Sequence, residues 1–363
     1  MFLRRVVVCL ERPWGCSSLE PSIVQFVDSS SGKHIRQRTR EVLEQVIPSD
    51  HGAALLDFPN HANAGDALIY LGELAYLADI NCTVRYSCVY NTYDKSVMDG
   101  RAPEAAILLH GGGNFGDRYP TFQKFREQVI AENAERTIVQ MPQTFEFAES
   151  KFLTNTQRIY AEHPNLTILI RHQHDLERIS ELFPYNRVLF CPDTAFGVGP
   201  LQPTRTPDHA LVIVKRVDGE SAQPSGSLPA SVTHDAFVDD WRPMWLGNAW
   251  RWVPRSLFIV ALSTRPALRG AIAGWSQRSF ERQAQIIVDQ AVSTLSRGRV
   301  VVTDRLHAGI FGLLMGKPVV LVDNANRKLS AAYQDYLANL GSVEIAGDFV
   351  SAIDTARTLS ESN

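Results

Sequence analysis

Arg299-Val-Val-Val-Thr-Asp-Arg-Leu-His-Ala-Gly-Ile-Phe-Gly-Leu-Leu-Met-Gly-Lys-Pro318 reads as a buried strand, a sharp polar turn and a short helix. Val300, Val301 and Val302 form an unbroken apolar run, as in a parallel strand covered on both faces. Leu306, Ile310, Leu313 and Leu314 repeat at helical spacing, and Gly316 followed by Lys317 and Pro318 stops the helix. Thr303 or Asp304 is placed to cap it. Arg305 and His307 fall in the first turn, where unpaired backbone N–H groups and the positive end of the helix dipole also point. A cation, an imidazole and a helix start at the carboxyl end of a strand suit a small anion such as phosphate or carboxylate. The structural alternative is an arginine–aspartate surface pair beside a satisfied histidine, and the stretch alone leaves both open.

The same rhythm of strand and helix recurs along the chain. Strand-like stretches at 53–58, 80–86 (alternating), 105–110, 137–141, 166–170 and 187–191 are interleaved with helical patterns from 67, near 120–134, near 150–162 and near 174–183. Such alternation implies crossover connections and a parallel, doubly wound sheet. A stretch rich in proline, glycine and threonine at 192–207 reads as a linker. Beyond it, strands are predicted at 210–214, 257–261, 300–302 and 319–322. A long helix is predicted at 277–296, and closing helices near 328–340 and 348–358. The expected fold class is α/β with two Rossmann-like doubly wound domains. Residues 1–38 form an extended N-terminal segment, 39–200 the first domain, 201–345 the second, and 346–363 a C-terminal helix and tail. Two tandem open sheets leave a cleft between their carboxyl-end loops, where ligands bind in such folds.

Composition agrees with two soluble cores. The chain has 363 residues, 45% hydrophobic and 21% charged, enough for two domains of roughly 150 residues each. A net charge of −3 gives no pull towards nucleic acid, and none is expected as a partner. The five cysteines have no metal-ligand spacing, and their odd number argues against a full disulfide framework. A reducing cytoplasm is the expected location. No apolar run approaches the roughly 20 residues that span a bilayer.

Three further loops carry chemistry. Gly111-Gly-Gly-Asn-Phe-Gly-Asp117 follows a strand and precedes a helix. The backbone of Gly111, Gly112, Gly113 and Asn114 can approach a ligand closely and expose N–H groups to an anion or sugar hydroxyls. The run has neither the Gly-x-Gly-x-x-Gly spacing of a dinucleotide site nor the lysine of a phosphate-binding loop, and a tight strand-to-helix turn would also need glycine. His110, at its entrance, reads as structural. Asn63-Ala-Gly-Asp66 is a second loop at a strand end, with Asp66 where a helix cap belongs, and Asn63 and Gly65 offering backbone or side-chain contacts. Arg171 directly follows a strand, so its guanidinium should reach the cleft and grip an anion together with Arg305. The alternative is an ion pair with Asp175. His172 and His174 beside it do not by themselves make a metal site.

Taken together, Asn63-x-Gly-Asp66, the glycine run at 111–117, Val214-Lys-Arg-Val-Asp-Gly-Glu220, Thr303-Asp-Arg-Leu-His-Ala-Gly309 and Asn326-Arg-Lys328 resemble the polysaccharide pyruvyl transferase family. The order and rough spacing match over residues 50–340. The resemblance implies an architecture like that of two-domain (GT-B-like) glycosyltransferases, with the active site in the interdomain cleft. It also implies transfer of the enolpyruvyl unit of phosphoenolpyruvate to a sugar as a cyclic ketal, with release of phosphate. Donor contacts carry over onto Arg305, Leu306 and His307, and onto Arg171. Two departures stand out: Arg171 is followed by histidine where the family has an acidic residue, and an unusual insert runs from 221 to 256.

Ketal transfer requires cations for the donor's carboxylate and phosphate, a proton for its methylene carbon, and a base for two attacking hydroxyls. Arg305, Arg171 and the helix start suit the first task, and Lys328 could add charge near the phosphate. His307 suits proton donation or contact with the leaving phosphate. Asp66 and Asp117 are the base candidates. No step calls for a metal or other cofactor. Five of six tryptophans (Trp241, Trp245, Trp250, Trp252, Trp275) fall within 241–275, interleaved with arginines. Such a surface suits sugar stacking or membrane headgroups, so a lipid-linked acceptor and peripheral contact at the inner membrane face are expected. Packing of the second core is the alternative. The competing functions are a nucleotide-sugar glycosyltransferase of similar architecture and a non-catalytic sugar- or phosphate-binding relative.

Overall fold

The computed structural model describes residues 30–148, 150–216, 228, 235–239, 249–263, 265–323, 328–340 and 342–361. The described chain begins with a helix, α1 (Ser30–Val46), where an extended segment was expected up to residue 38. Its Ile35, Leu43 and Val46 are buried on one face, which explains a helix there.

The first half then runs β1 (Ala53–Leu56), α2 (Ala64–Asp79), β2 (Val84–Cys88), α3 (Lys95–Arg101), β3 (Ala106–Leu109) and β4 (Gly112–Gly116). It continues through α4 (Pro120–Glu132), β5 (Ile138–Glu146), α5 (Ser150–Ala161), β6 (Leu166–Ile170), α6 (Leu176–Leu182) and β7 (Arg187–Phe190). These strands form one parallel sheet in the order β2-β1-β3-β5-β6-β7, with β4 paired to β5. Every residue of β1 and β3 is buried, as both faces of the sheet are covered by helices. The glycine run, expected as a loop, contains the short strand β4.

The second half contributes β8 (His209–Val214), β9 (Ala236–Asp239), α7 (Val253–Ser263), α8 (Pro266–Leu295), β10 (Gly298–Thr303), α9 (Leu306–Leu314) and β11 (Val319–Val322). It closes with α10 (Lys328–Ala332), two tighter turns, β12 (Val343–Ala346) and α11 (Phe349–Glu361). The sheet order is β12-β11-β10-β8-β9, again all parallel. Residues 257–261, expected as a strand, lie in α7, whose buried Ser256, Ile259 and Ser263 are spaced like one face of a helix. A five-residue apolar run does not distinguish the two. Strands β9 and β12 were not expected: β9 lies within the 221–256 insert, and Glu344 interrupts the apolar run of β12.

The two halves share apolar packing. One cluster joins Phe58 and Leu68 of the first half to Phe280, Val288 and Phe311 of the second. The rings of Phe58 and Phe280 stack with centroids 4.5 Å apart. Burying such a side chain contributes roughly 1.5–3 kcal/mol, so α8 ties the sheets together as well as covering its own.

Both sheets reverse direction at a defined place. In the first, the chain leaves β1 for β2 on one side and returns as β3 on the other. In the second, β8 is followed by β9 on one side and by β10 on the other. The crevice beyond the carboxyl ends at such a switch point is where open α/β sheets bind ligands.

Candidate active site

A cavity of about 380 Å³ lies at these switch points, a size suited to a small molecule. The first half lines it with Asp57 after β1, Asn63 and Asp66 at the start of α2, His110, Gly111, Gly113 and Asn114 after β3, and Arg171 after β6. The second half adds Arg216 after β8, Arg305, Leu306 and His307 at the start of α9, and Leu329. Three arginines and the open end of a nine-residue helix therefore converge on one space, which favours an anion.

Arg171 lines the cavity together with Arg305, and its ion pair is not the alternative one with Asp175. Its Nη1 donates to Asp193 Oδ2 at 2.8 Å, not to Asp175, and its Nε donates to Thr144 Oγ1 at 2.6 Å. His307 Nε2 lies 3.2 Å from the same Asp193 oxygen, and the Ala195 amide donates to the other at 3.0 Å. Burial pushes the Asp193 carboxyl up, but His307, Arg171 and the Ala195 amide outweigh it and hold the group well below the usual carboxylate range. Asp193 thus fixes an arginine from the first half and a histidine from the second in one geometry. It was missed because 192–207 read as a linker. The available signal was a carboxylate three residues past the carboxyl end of β7. The turn that carries Asp193 is held by close backbone contact with α2, since a Cβ on Gly72 would sit 1.9 Å from the Thr194 carbonyl oxygen.

Asp66 lies in the first turn of α2, but the cap is Asn63, whose Oδ1 accepts from the Gly65 amide at 3.0 Å. Asp66 Oδ2 accepts from Asn63 Nδ2 at 2.8 Å and lies 3.4 Å from His61 Nε2. Gly65 does not line the cavity itself. It lies against His307, where a Cβ would approach Nδ1 to 2.6 Å.

The glycine run is fixed from behind. Glu73, fully buried on α2, accepts from the Gly111 amide and from His110 Nδ1, both at 2.8 Å. Burial pushes the His110 imidazole down, but Glu73 outweighs it and the net direction is upward. This is the structural role expected of His110. Arg126, fully buried, donates to the Asn114 carbonyl at 2.8 Å and to its side chain. Gly112 is not part of the cavity wall, and its φ of +126° explains the glycine.

Of the remaining expected residues, Asp117 is not brought to the cavity. Both its carboxylate oxygens accept from the Ala148 amide at 3.0 Å, which closes the loop behind β5. The side chain of Lys328 falls outside the described residues, as do Asn326, Arg327 and residues 217–220. Asp304 accepts from the Arg216 amide at 2.8 Å and does not cap α9. Thr303 does not cap it either: α9 has no side-chain cap, and Thr303 Oγ1 accepts from the Arg305 amide at 2.9 Å. Trp252 and Trp275 pack partly against the core, Trp250 is exposed, and Trp241 and Trp245 lie outside the described residues. Away from the cavity, Asp335 joins His172 and His174, with ligand-type atoms within 4.8 Å of one another. Asp335 also accepts from the Gln173 amide at 2.9 Å.

The cavity holds one carboxyl that sequence reasoning overlooked. Asp57 is buried, has φ +70°, and neither of its oxygens has a hydrogen-bond partner. Burial, opposed by Arg126 and His110, leaves its carboxyl pushed up to about 7.

Comparison with known proteins follows the same residues. A sequence model of the family described as "Polysaccharide pyruvyl transferase" matches residues 63–326. "Pyruvyl transferase 1" of Schizosaccharomyces pombe (strain 972 / ATCC 24843) is 30% identical over 324 residues, 84% of this chain and 74% of the relative. The EpsO protein of Bacillus subtilis (strain 168) is 27% identical over 311 residues, 86% of this chain and 93% of the relative. The crystal structure of an uncharacterised protein from Klebsiella pneumoniae is similar in fold. Its TM-score is 0.56 at 18% sequence identity, over 86% of this chain and 99% of that one. The matched span runs from the Asn63 cap, past the Arg171–Asp193–His307 cluster, to the loop before α10, and the chain is an enzyme that belongs to the polysaccharide pyruvyl transferase family.

Proposed function

We propose that the enzyme transfers a pyruvyl group from phosphoenolpyruvate to two hydroxyls of a sugar in a polysaccharide precursor, forming a cyclic ketal and releasing phosphate. The observation that carries this reading is the meeting of Arg171, Arg216, Arg305 and the start of α9 in one small cavity. The donor has a carboxylate and a phosphate ester on the same carbon and needs such a pair of cationic contacts. Arg171 commits two of its nitrogens to Asp193 and Thr144, which leaves its Nη2 beside Gly113. Arg305 and the α9 amides supply the second contact. His307, oriented by Asp193, meets the leaving phosphate. Asp66, held by Asn63 and His61 at the wall, faces the acceptor side.

Walls drawn from both sheets support a cleft arrangement akin to that of two-domain glycosyltransferases. Exposed Trp250, Leu257 and Phe258 beside exposed Arg251 and Arg255 support contact with a lipid-linked acceptor at an anionic membrane face. Vesicle flotation tests that part: binding to anionic but not neutral liposomes is expected, and no binding to either removes it. Among the described residues no helix is long and apolar enough to cross a membrane.

Thermal shift separates the donor classes. Stabilisation by phosphoenolpyruvate and not by nucleotide sugars is expected. The reverse result would favour a glycosyltransferase. Arg305→Ala should raise the apparent KM for phosphoenolpyruvate, and His307→Ala should lower kcat for phosphate release.

A further inference from the structure

Asp57 combines several features that general packing does not favour. It follows β1 directly at the switch point of the first sheet and lines the same cavity as Arg305 and His307. The residue is 3% exposed, and neither carboxyl oxygen has a hydrogen-bond partner. A buried polar group without partners costs roughly 1–3 kcal/mol, and its left-handed φ of +70° adds strain of order 1 kcal/mol. Such costs gather where a group must stay available to a reactant. Asp66, the other carboxyl of the wall, is already engaged by Asn63 and His61.

The charged and titratable groups around Asp57 come from three sides. Arg126 lies on α4, His110 follows β3, and Asp66 and Glu73 stand on α2. Arg126 is committed to Asn114 and His110 to Glu73, so neither forms an ion pair with Asp57. The Asp57 backbone amide is turned to the Cys88 thiol of β2. A carboxyl in this setting exchanges its proton near neutral pH, as a general acid and base must.

We propose that Asp57 is the proton-transfer residue of this enzyme, giving its proton to the methylene carbon of the enolpyruvyl donor and taking one back from the attacking sugar hydroxyl. This rests on the phosphoenolpyruvate reading above. In the first half-reaction the C=C π bond breaks and a C–H bond forms from the Asp57 acid. The acceptor oxygen then bonds to the ketal carbon while its proton passes to the Asp57 carboxylate. In the second, the C–O bond to phosphate breaks and the second hydroxyl closes the ketal, its proton leaving with the phosphate. Asp57 ends as it began, and the protons balance.

The test compares the full-length wild type with Asp57→Asn. Asparagine tolerates a left-handed φ and keeps the shape, and thermal melting checks that the variant folds. Phosphate release from phosphoenolpyruvate, across a panel of sugar acceptors, should lose about 100-fold or more in kcat. The KM for phosphoenolpyruvate should stay within about threefold. A titration near pH 7 in the wild-type kcat profile should vanish in the variant. Calorimetry in buffers of different ionisation enthalpy gives a readout that needs no acceptor: binding of phosphoenolpyruvate at pH 7.5 should take up more protons in the wild type than in Asp57→Asn. Binding with equal proton uptake, or with kcat within threefold of wild type, overturns the role of Asp57 alone. If phosphoenolpyruvate binds neither protein, the donor reading fails and this proposal fails with it.

Discussion

Replacing Asp57 by asparagine should make the protein more stable, and by an amount that depends on pH. In the unfolded chain the Asp57 carboxyl ionises near 3.8, whereas in the folded protein burial holds it near 7. Between these values the unfolded state has released the proton and the folded state has not, so the folded state binds more protons and loses stability as pH rises. The loss starts near pH 4, runs at about 1.4 kcal/mol per pH unit, and levels off above pH 7 at about 4 kcal/mol. Asparagine does not titrate, so the variant is spared it. With an unfolding entropy of about 2.1 cal/mol/K per residue, 363 residues give roughly 0.8 kcal/mol/K. The difference in Tm between variant and wild type should therefore widen by about 4 °C between pH 4.5 and pH 8. Differential scanning fluorimetry in matched ionic strength reads it directly. A difference that stays flat across that range would refute the buried, unpartnered state of the carboxyl.

Two other substitutions probe the cavity walls. Asp193→Asn leaves the buried Arg171 guanidinium without its charge partner, which costs about 3–5 kcal/mol when such pairs are broken. Tm should fall by roughly 4–6 °C and the KM for phosphoenolpyruvate should rise. A variant with unchanged Tm would mean that the pair contributes nothing. Gly65→Ala places a methyl carbon 2.6 Å from His307 Nδ1, so the ring must move. The expected result is an intact fold with kcat reduced at least tenfold, and full activity would show that the position of His307 is not critical.

Much of the fold was legible because the strands are buried on both faces and carry unbroken apolar runs. β6 and β11 match the predicted bounds, and β10 with α9 has the strand, polar turn and helix read from the sequence. Helix α7 was misread because its exposed face is apolar: Leu257 and Phe258 face outward, so the period that distinguishes helix from strand was masked. At the site, residues that open a helix or end a strand were legible, and His307, Arg305, Leu306, Arg171, Asn63 and Asp66 do line one cavity. Asp117 looked equivalent to Asp66 along the sequence, yet β4 adds to the sheet and carries it past the cavity to Ala148. Asp193 and Asp57 were hidden for a shared reason. What distinguishes Asp193 is its pairing with residues 22 positions before it and 114 after it. What distinguishes Asp57 is the absence of any partner. Both are properties of tertiary packing, and local spacing carries neither.

The proposed reaction moves a pyruvyl group from phosphoenolpyruvate to a sugar within this cavity. Purified enzyme, phosphoenolpyruvate and a panel of polysaccharide-precursor sugars should release inorganic phosphate in step with a product heavier than the sugar by one ketal-linked pyruvyl group, read by mass spectrometry. Arg305→Ala and His307→Ala should reduce both signals together. Phosphate release with no pyruvylated sugar, or pyruvylation that persists undiminished in both variants, would contradict the account.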